Sequence, residues 1–254
     1  MPPSASLAAL ALLAAVVAWF GVPILLRRLQ TARLRALCAA RRTIVLTYDD
    51  GPGAALSPRL AEILRRHGVR ATFFAIGGQA VRRPAVIATL LGDGHEVANH
   101  SHDHVNAWRA LPWRAVRDIR AGRHVLAGLG GNGGLFRPPY GKSTPATLLY
   151  GWRARIRFAY WTVDSRDSWE TPRPVAEVLD MVERDGGGVV LMHDFDRAPR
   201  GREGHDHQAH VLRLTESLID HARRHGYAIA PLGEMLLPSL PARPPALAGA
   251  GAGT

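Results

Sequence analysis

The stretch TIVLTYDDGPG, Thr43–Gly53, combines two features that decide the fold. Its first six residues are almost all β-branched or aromatic, which is typical of a strand buried in a parallel sheet. Two adjacent aspartates, Asp49 and Asp50, follow, and then a turn of glycine and proline. Because neighbouring carboxylates repel each other, the end of this strand is either an exposed turn or a site where other residues bind them.

The alternation of strand and helix continues along the chain. The segment SPRLAEILRRHG predicts a helix with Ser57 as its N-cap, Pro58 at its first position and Gly68 as its stop. Further strand-like segments, separated by helical ones, are VRATFFAIG, HEVANH, GLFRPPYG, RFAYWTVD, GGGVVLMHD and YAIAPL. Repeated strand–helix units indicate an α/β fold with a parallel sheet, and their number fits a barrel better than a small open sheet.

The N-terminus carries a long apolar segment, Leu7–Leu26, without a charged residue. About 20 such residues cross a hydrocarbon core as a helix. Since no Lys or Arg precedes the segment, it is less typical of a cleaved signal peptide than of a single-pass anchor in the cell membrane. Six arginines follow between residues 27 and 42, and the positive-inside rule places that flank in the cytoplasm. A secreted enzyme has the opposite orientation, so the side of the folded domain stays open.

We expect three segments: an anchor with a basic helical linker at residues 1–41, a folded domain at 42–236, and a disordered Pro/Ala/Gly-rich tail at 237–254. The chain has 32 Lys and Arg against 21 Asp and Glu. These basic residues are spread along the sequence, which indicates attraction to acidic surfaces rather than a nucleic-acid-binding arm. The single cysteine, Cys38, excludes a disulfide within the chain and a cysteine metal cage.

Polar side chains are dense at five predicted strand ends, where reactive groups gather in such folds. Besides the two aspartates, the motifs are NHSHDH, FRPPYG, VDSRDSW and VVLMHD. His100 and His104 are four residues apart, and two imidazoles with a carboxylate are a common ligand set for a catalytic divalent metal. Each motif alone is explained as a loop or a turn, but that explanation does not account for all five in this order.

These motifs, together with ATFFAIG and GHEVANHSHDH, resemble the polysaccharide deacetylase family, carbohydrate esterase family four, over about Arg42–Leu236. The resemblance implies a distorted (β/α) barrel. It also implies a hydrolase of non-peptide amide bonds that removes N-acetyl, sometimes O-acetyl, groups from sugars. The implied cofactor is a divalent metal, zinc first, with cobalt, nickel or manganese as alternatives.

The resemblance further implies a role for each polar residue around the metal. Asp49 would be the general base, oriented by Arg137, and the backbone N–H of Tyr140 would help to bind the oxyanion. The metal ligands would be Asp50, His100 and His104.

A second group of residues would act on the leaving amine and the acyl group. His193 would be the general acid, with Asp167 setting its pKa and Asp164 as the second candidate for that role. A histidine that is charged near neutral pH and held by a carboxylate can protonate an amine as it departs. The pocket for the acetyl methyl group would be lined by Leu191 and Trp169.

The sequence therefore favours a membrane-anchored enzyme that deacetylates an amino-sugar glycan, such as peptidoglycan or a chitin-like oligosaccharide. A lipid-linked amino sugar at the membrane is the alternative substrate. A non-catalytic glycan-binding protein is the alternative class, but such descendants generally lose the base, a ligand or the acid, and all are present here. Nucleic-acid binding has only the net charge of +11 in its favour.

Overall fold

The computed structural model describes residues 3–196 and 206–236. The tail at 237–254 and residues 197–205, which follow His193 in a charged segment, lie outside the described residues. The chain begins with one continuous helix, which consists of α1 (Pro3–Val16), a π-helical turn (Val17–Gly21) and α2 (Val22–Arg41). Only Arg42, in a left-handed conformation, separates this helix from the first strand.

In the described residues eight strands follow, separated by helices except between the fifth and the sixth. The elements are β1 (Thr43–Asp49), α3 (Leu56–His67), β2 (Thr72–Ala75), α4 (Gly77–Arg82), α5 (Pro84–Gly92), β3 (Glu96–Asn99), α6 (Pro112–Gly128), β4 (Asn132–Phe136), a 3₁₀ turn (Pro139–Gly141), α7 (Pro145–Arg153), β5 (Arg157–Phe158), β6 (Val163–Asp164), α8 (Val175–Arg184), β7 (Gly188–His193), α9 (His207–His225), β8 (Ala228–Ile229) and α10 (Leu232–Leu236).

All pairings between strands are parallel, in the order β5-β4-β3-β2-β1-β7-β6, and β8 pairs with the start of β1. In the described part of the chain no ladder joins β5 to β6, so the sheet curls into a half-barrel without closing. The expected α/β class and distorted barrel are confirmed. Strand β1 lies at the centre, which makes its carboxyl end the natural position for a site.

The side chains of β1 alternate between two sides of the sheet. Ile44, Leu46 and Tyr48 pack into the larger core, which includes α3 and α9, while Val45 belongs to a second cluster inside the curl. Since strand side chains alternate with a period of two, Thr47 and Asp49 share the inner face with Val45. Asp49 is thus directed into the half-barrel.

Helix α3 starts differently from the prediction. It begins at Leu56, so Ser57 and Pro58 lie within its first turn, and the expected Ser57 cap is wrong. The carboxylate of Asp196 caps the helix instead, because it accepts hydrogen bonds from the N–H groups of residues 54, 55 and 56. Gly68 ends the helix with a φ of 64°, as predicted.

The second half of α2 is part of the folded domain. Leu34 and Cys38 are buried against Val45 and Phe74. The first half of the long helix is different, since most of its large aliphatic side chains, including Leu12 and Leu25, are exposed. By length and composition, Leu7–Arg41 is able to cross a membrane, a test that a signal sequence passes as well. The boundary between residues 41 and 42 remains a prediction.

Candidate active site

The parallel register brings the polar strand ends together. Asp49 at the end of β1 lies beside His193 at the end of β7 and beside Phe74 of β2. Asn99 at the end of β3 pairs with Phe136 of β4, so the segments that begin at His100 and Arg137 leave the sheet at the same edge. The motifs that the sequence singled out therefore surround one cleft of about 590 Å³.

Asp50, His100 and His104 form a cluster whose candidate ligand atoms all lie within 4.8 Å of one another. Oδ1 of Asp50 is 3.2 Å from Nε2 of His100 and 3.0 Å from Nε2 of His104. Asp50 and His104 have positive φ angles, 71° and 55°, which are uncommon for non-glycine residues. The backbone is thus bent so that the three side chains converge.

The cluster fits a divalent metal. Oδ1 of Asp50 is buried and has no well-oriented hydrogen bond to any described residue, despite the two imidazoles nearby. Nδ1 of His100 lies 2.8 Å from the carbonyl oxygen of Arg137, so Nδ1 carries the proton and Nε2 presents its lone pair. A carboxylate with two neutral imidazoles is a ligand set that zinc and other divalent ions accept.

Asp49 and Arg137 form a buried ion pair next to this cluster. Nη1 of Arg137 donates to Oδ1 of Asp49 at 2.7 Å and to Oγ1 of Thr47 at 2.8 Å, and the guanidinium lies over the ring of Phe74. Burial lowers the pKa of Arg137, although the Asp49 carboxylate opposes that shift. The second oxygen of Asp49, Oδ2, is 3.8 Å from Nε2 of His100, on the side of the cluster.

His193 and Asp167 form a second pair on the other side of the cleft. Asp167 accepts from Nδ1 of His193 at 2.9 Å and from its backbone N–H at 2.8 Å. Burial alone lowers the pKa of His193, but the Asp167 carboxylate, together with those of Asp50 and Asp49, outweighs it and raises the pKa to about 10. The Ser165 hydroxyl holds Asp167 from behind at 2.8 Å. His193 is therefore held in its charged form over a wide pH range.

The structure brings Asp167, and not Asp164, to His193. Asp164 lines the cleft, and its carboxylate accepts the backbone N–H of Arg166 at 2.9 Å. The remaining predicted residues, Tyr140, Trp169 and Leu191, also line the cleft.

Tyr140 lines the cleft beside the cluster of Asp50, His100 and His104. Its φ is 57°, and its ring lies 4.7 Å from that of His104 between centroids. Its N–H has no backbone partner among the described residues and is free to bind a ligand.

Three supporting residues were missed in the sequence. Thr47 helps to hold Arg137, Ser165 holds Asp167, and Trp161 lines the cleft. Ser165 belongs to the motif VDSRDSW, and Trp161 lies two residues before it. Thr47 lies two residues before Asp49 on the same strand face, so the alternation of strand side chains alone could have indicated it.

Asp194, next to His193, is fully enclosed behind the site. Its Oδ2 accepts from the Ser57 hydroxyl at 2.5 Å, while Oδ1 has no partner among the described residues. Burial raises the pKa of Asp194 to about 7. Its carboxylate also packs against Gly51, where a Cβ atom would lie 2.1 Å from Oδ2. Gly51 is thus required at the turn that follows the two aspartates.

Comparison with known proteins places this geometry in a family. A polysaccharide deacetylase model matches residues 36–159. A chitooligosaccharide deacetylase of Bradyrhizobium sp. is 33% identical over 214 residues, which cover 76% of this chain and 90% of that protein. A peptidoglycan-N-acetylglucosamine deacetylase of Bacillus cereus is 29% identical over 198 residues, which cover 77% of this chain and 88% of that protein.

A solved structure has a similar fold. The family 4 carbohydrate esterase of Streptomyces lividans in complex with acetate superposes with a TM-score of 0.60 at 28% identity, over 74% of this chain and 97% of that one. The resemblance noted in the sequence is confirmed. With the curled parallel sheet and a relative matched over nine-tenths of its length, the chain belongs to the polysaccharide deacetylase family of hydrolases.

Proposed function

We propose that this protein is a membrane-anchored, metal-dependent deacetylase that removes N-acetyl groups from amino-sugar residues of a glycan, such as peptidoglycan or a chitin-like oligosaccharide. One observation carries the proposal: the Asp50, His100 and His104 cluster lies in the same cleft as the Asp49–Arg137 and His193–Asp167 pairs. The relatives that deacetylate chitooligosaccharides and peptidoglycan support the substrate class.

A divalent metal held by Asp50, His100 and His104 would polarise the amide carbonyl and lower the pKa of water toward about 7. Zinc suits this ligand set best, and cobalt, nickel and manganese are alternatives. Asp49 takes a proton from the attacking water through Oδ2, because Arg137 occupies Oδ1. The buried guanidinium fixes the orientation of that carboxylate.

Other residues that line the cleft stabilise the oxyanion, protonate the leaving amine and enclose the acyl group. The N–H of Tyr140 donates to the developing oxyanion. Charged His193, held by Asp167, gives its proton to the nitrogen of the leaving amine as the carbon–nitrogen bond breaks. Leu191 and Trp169 enclose the acetyl methyl group.

The test is acetate release from N-acetylglucosamine oligomers by the full chain in detergent, with zinc or cobalt added. We expect turnover by the wild type and a loss of at least about 100-fold in the Asp49→Asn variant, since general-base catalysis contributes that much. If neither protein released acetate from any acceptor, only the non-catalytic, glycan-binding alternative would be left, whereas equal turnover by both would rule out Asp49 as the base. His124→Asn, an exposed residue of α6, is the matched control.

Membrane anchoring belongs to the same proposal. It is supported by the exposed apolar residues of the first half of the long helix. Labelling of Cys38 is unsuitable for locating the domain, because this residue is buried, whereas a reporter fused to the C-terminus is accessible to assay. A reporter in the cytoplasm would exclude the cell-wall polymer and leave the lipid-linked amino sugar as substrate.

A further inference from the structure

A second groove lies directly beside the catalytic cleft. Its volume is about 450 Å³, and it runs between α2 and the loops after β4 and β5. Gly141 and Trp161 line both the groove and the cleft, so the two spaces adjoin. A ligand that occupies the cleft can therefore extend into the groove.

The groove is basic. Arg27, Arg28, Arg35 and Lys142 line it, and no acidic residue does so in the described part of the chain. Arg35 is bound by Asp185 at 2.9 Å. The other three make no ion pair with a described carboxylate, so their charge is available to a ligand. Several uncompensated cations around one space favour an anion, and arginine is especially suited to phosphate.

Two of these cations are held in place by the domain. Nη1 of Arg27 donates to the carbonyl of Gly141 at 3.1 Å, and its guanidinium lies 4.7 Å from the ring centre of Trp161. The ammonium of Lys142 lies 4.0 Å from the ring centre of Trp108. The groove is thus arranged before any ligand binds, which reduces the entropic cost of binding.

The groove has neighbours of three chemical kinds. Pro23 and Ile24, from the end of the apolar run, line it, and Arg27 and Arg28 directly follow that run. Arg27 contacts Gly141, whose neighbour Tyr140 lies against His104. An apolar segment, cations and the candidate catalytic centre therefore all border on this groove.

We propose that this groove binds the phosphate or diphosphate of a lipid-linked amino sugar, and that such a glycolipid is the substrate. This inference rests on the proposed deacetylase function, and it selects the lipid-linked amino sugar, the alternative substrate, over a free glycan polymer. The lipid chain lies along the apolar helix, the phosphate lies against Arg28 and Lys142, and the acetamido sugar enters the cleft. In a 2-acetamido sugar phosphate, the anion is on the carbon next to the one that carries the amide, which matches the adjacency of groove and cleft.

The binding test uses full-length Asp49→Asn protein in phosphatidylcholine nanodiscs, because this variant binds without turnover. The probe is farnesyl-diphospho-N-acetylglucosamine, and tryptophan fluorescence reports binding, since Trp108 and Trp161 line the groove. We expect that adding Arg28→Gln or Lys142→Gln raises the Kd about tenfold, which is the usual loss for one charged contact.

The control is Arg33→Gln. Arg33 lies on the same helix and is exposed, but it lines a different groove. It should leave the Kd for the probe unchanged. If the Arg28 and Lys142 variants bind the probe as tightly as the Arg33 variant does, the inference is wrong.

Other sources of phosphate are distinguished in the same experiment. If nanodiscs that contain phosphatidylglycerol produce the Arg28-dependent signal and block the probe, a phospholipid headgroup occupies the groove and the substrate assignment fails. If inorganic phosphate binds as tightly as the probe, a free anion is the ligand, with the same consequence.

A kinetic experiment distinguishes failure of this inference from failure of the proposed deacetylase function. Wild-type protein is assayed with the lipid-linked probe and with tri-N-acetylchitotriose, which carries no phosphate. We expect Arg28→Gln to raise the KM for the probe about tenfold without a matching change for chitotriose. Equal rises for both acceptors would indicate a structural defect and contradict the inference. Absence of acetate release from both acceptors by the wild type would contradict the deacetylase itself, whatever the binding data show.

Discussion

At the scale of single residues, the two adjacent aspartates of the opening stretch have different surroundings. Asp49 continues the inward face of β1 and meets Arg137, whereas Asp50 turns into a left-handed conformation and meets the two histidines. The change of backbone direction between them resolves the repulsion, because each carboxylate has its own cationic or metal-binding environment. The two are expected to be non-interchangeable, despite their identical chemistry.

The Asp167→Asn variant should narrow the range of pH over which the enzyme works. The general acid must be protonated, so activity falls as pH rises through the pKa of His193, which the Asp167 carboxylate raises to about 10. Without that charge, the pKa falls and the alkaline loss of kcat begins about one to three pH units lower, the usual effect of an adjacent opposite charge. The check is a profile of kcat against pH on chitotriose. Asp164→Asn, as the control, should leave the alkaline limb in place, and an unshifted limb in Asp167→Asn would contradict the assigned pair.

At the scale of elements, a buried carboxyl group joins the end of β7 to the first turn of α3. Asp194 accepts from Ser57, and burial raises its pKa from the ordinary 3.8 to about 7. A folded state that retains a proton already lost by the unfolded chain becomes less stable as pH rises. This loss accumulates between about pH 4 and pH 7, is complete above pH 7, and is on the order of 4 kcal/mol.

Asp194→Asn should therefore stabilise the fold at pH 8 and make little difference at pH 4, since the amide keeps an oxygen for Ser57 and cannot ionise. Thermal unfolding in detergent at both pH values measures this, with Asp180→Asn on α8 as an exposed control. A gain that is the same at both pH values would show that ionisation of Asp194 is not the cause.

The elements also show what the sequence could predict. Local signals were sufficient for β1, for the Gly68 stop and for the position of the polar motifs at strand ends. They were insufficient for the start of α3, because its capping group, Asp196, is 140 residues away from Leu56. The same applies to the burial of Leu34 and Cys38, since packing of α2 on the sheet is not encoded in the periodicity of α2. Local sequence patterns do not show which residues far apart in the chain come into contact in the fold.

At the scale of the whole molecule, metal binding should couple to stability. An ion that binds only the folded cluster stabilises it by about 2.7 kcal/mol at 100 times the Kd, which corresponds to a rise in Tm of several degrees for a domain of this size. We expect zinc to raise the Tm of the wild type and a chelator to reverse the rise. His104→Asn should abolish the response, while His124→Asn should retain it. A zinc response that persists in His104→Asn would place the metal elsewhere.

The chain is helical from the apolar segment to Arg41, with a π-helical turn at Val17–Gly21, and the second half of α2 packs on the domain through Leu34 and Cys38. With that segment anchored, the cleft is held at a constant height, and the enzyme searches by lateral diffusion in two dimensions. Its turnover then depends on the mole fraction of substrate in the surface rather than on the bulk concentration. Diluting the substrate with inert lipid slows such an enzyme, even when the total amount of substrate is unchanged.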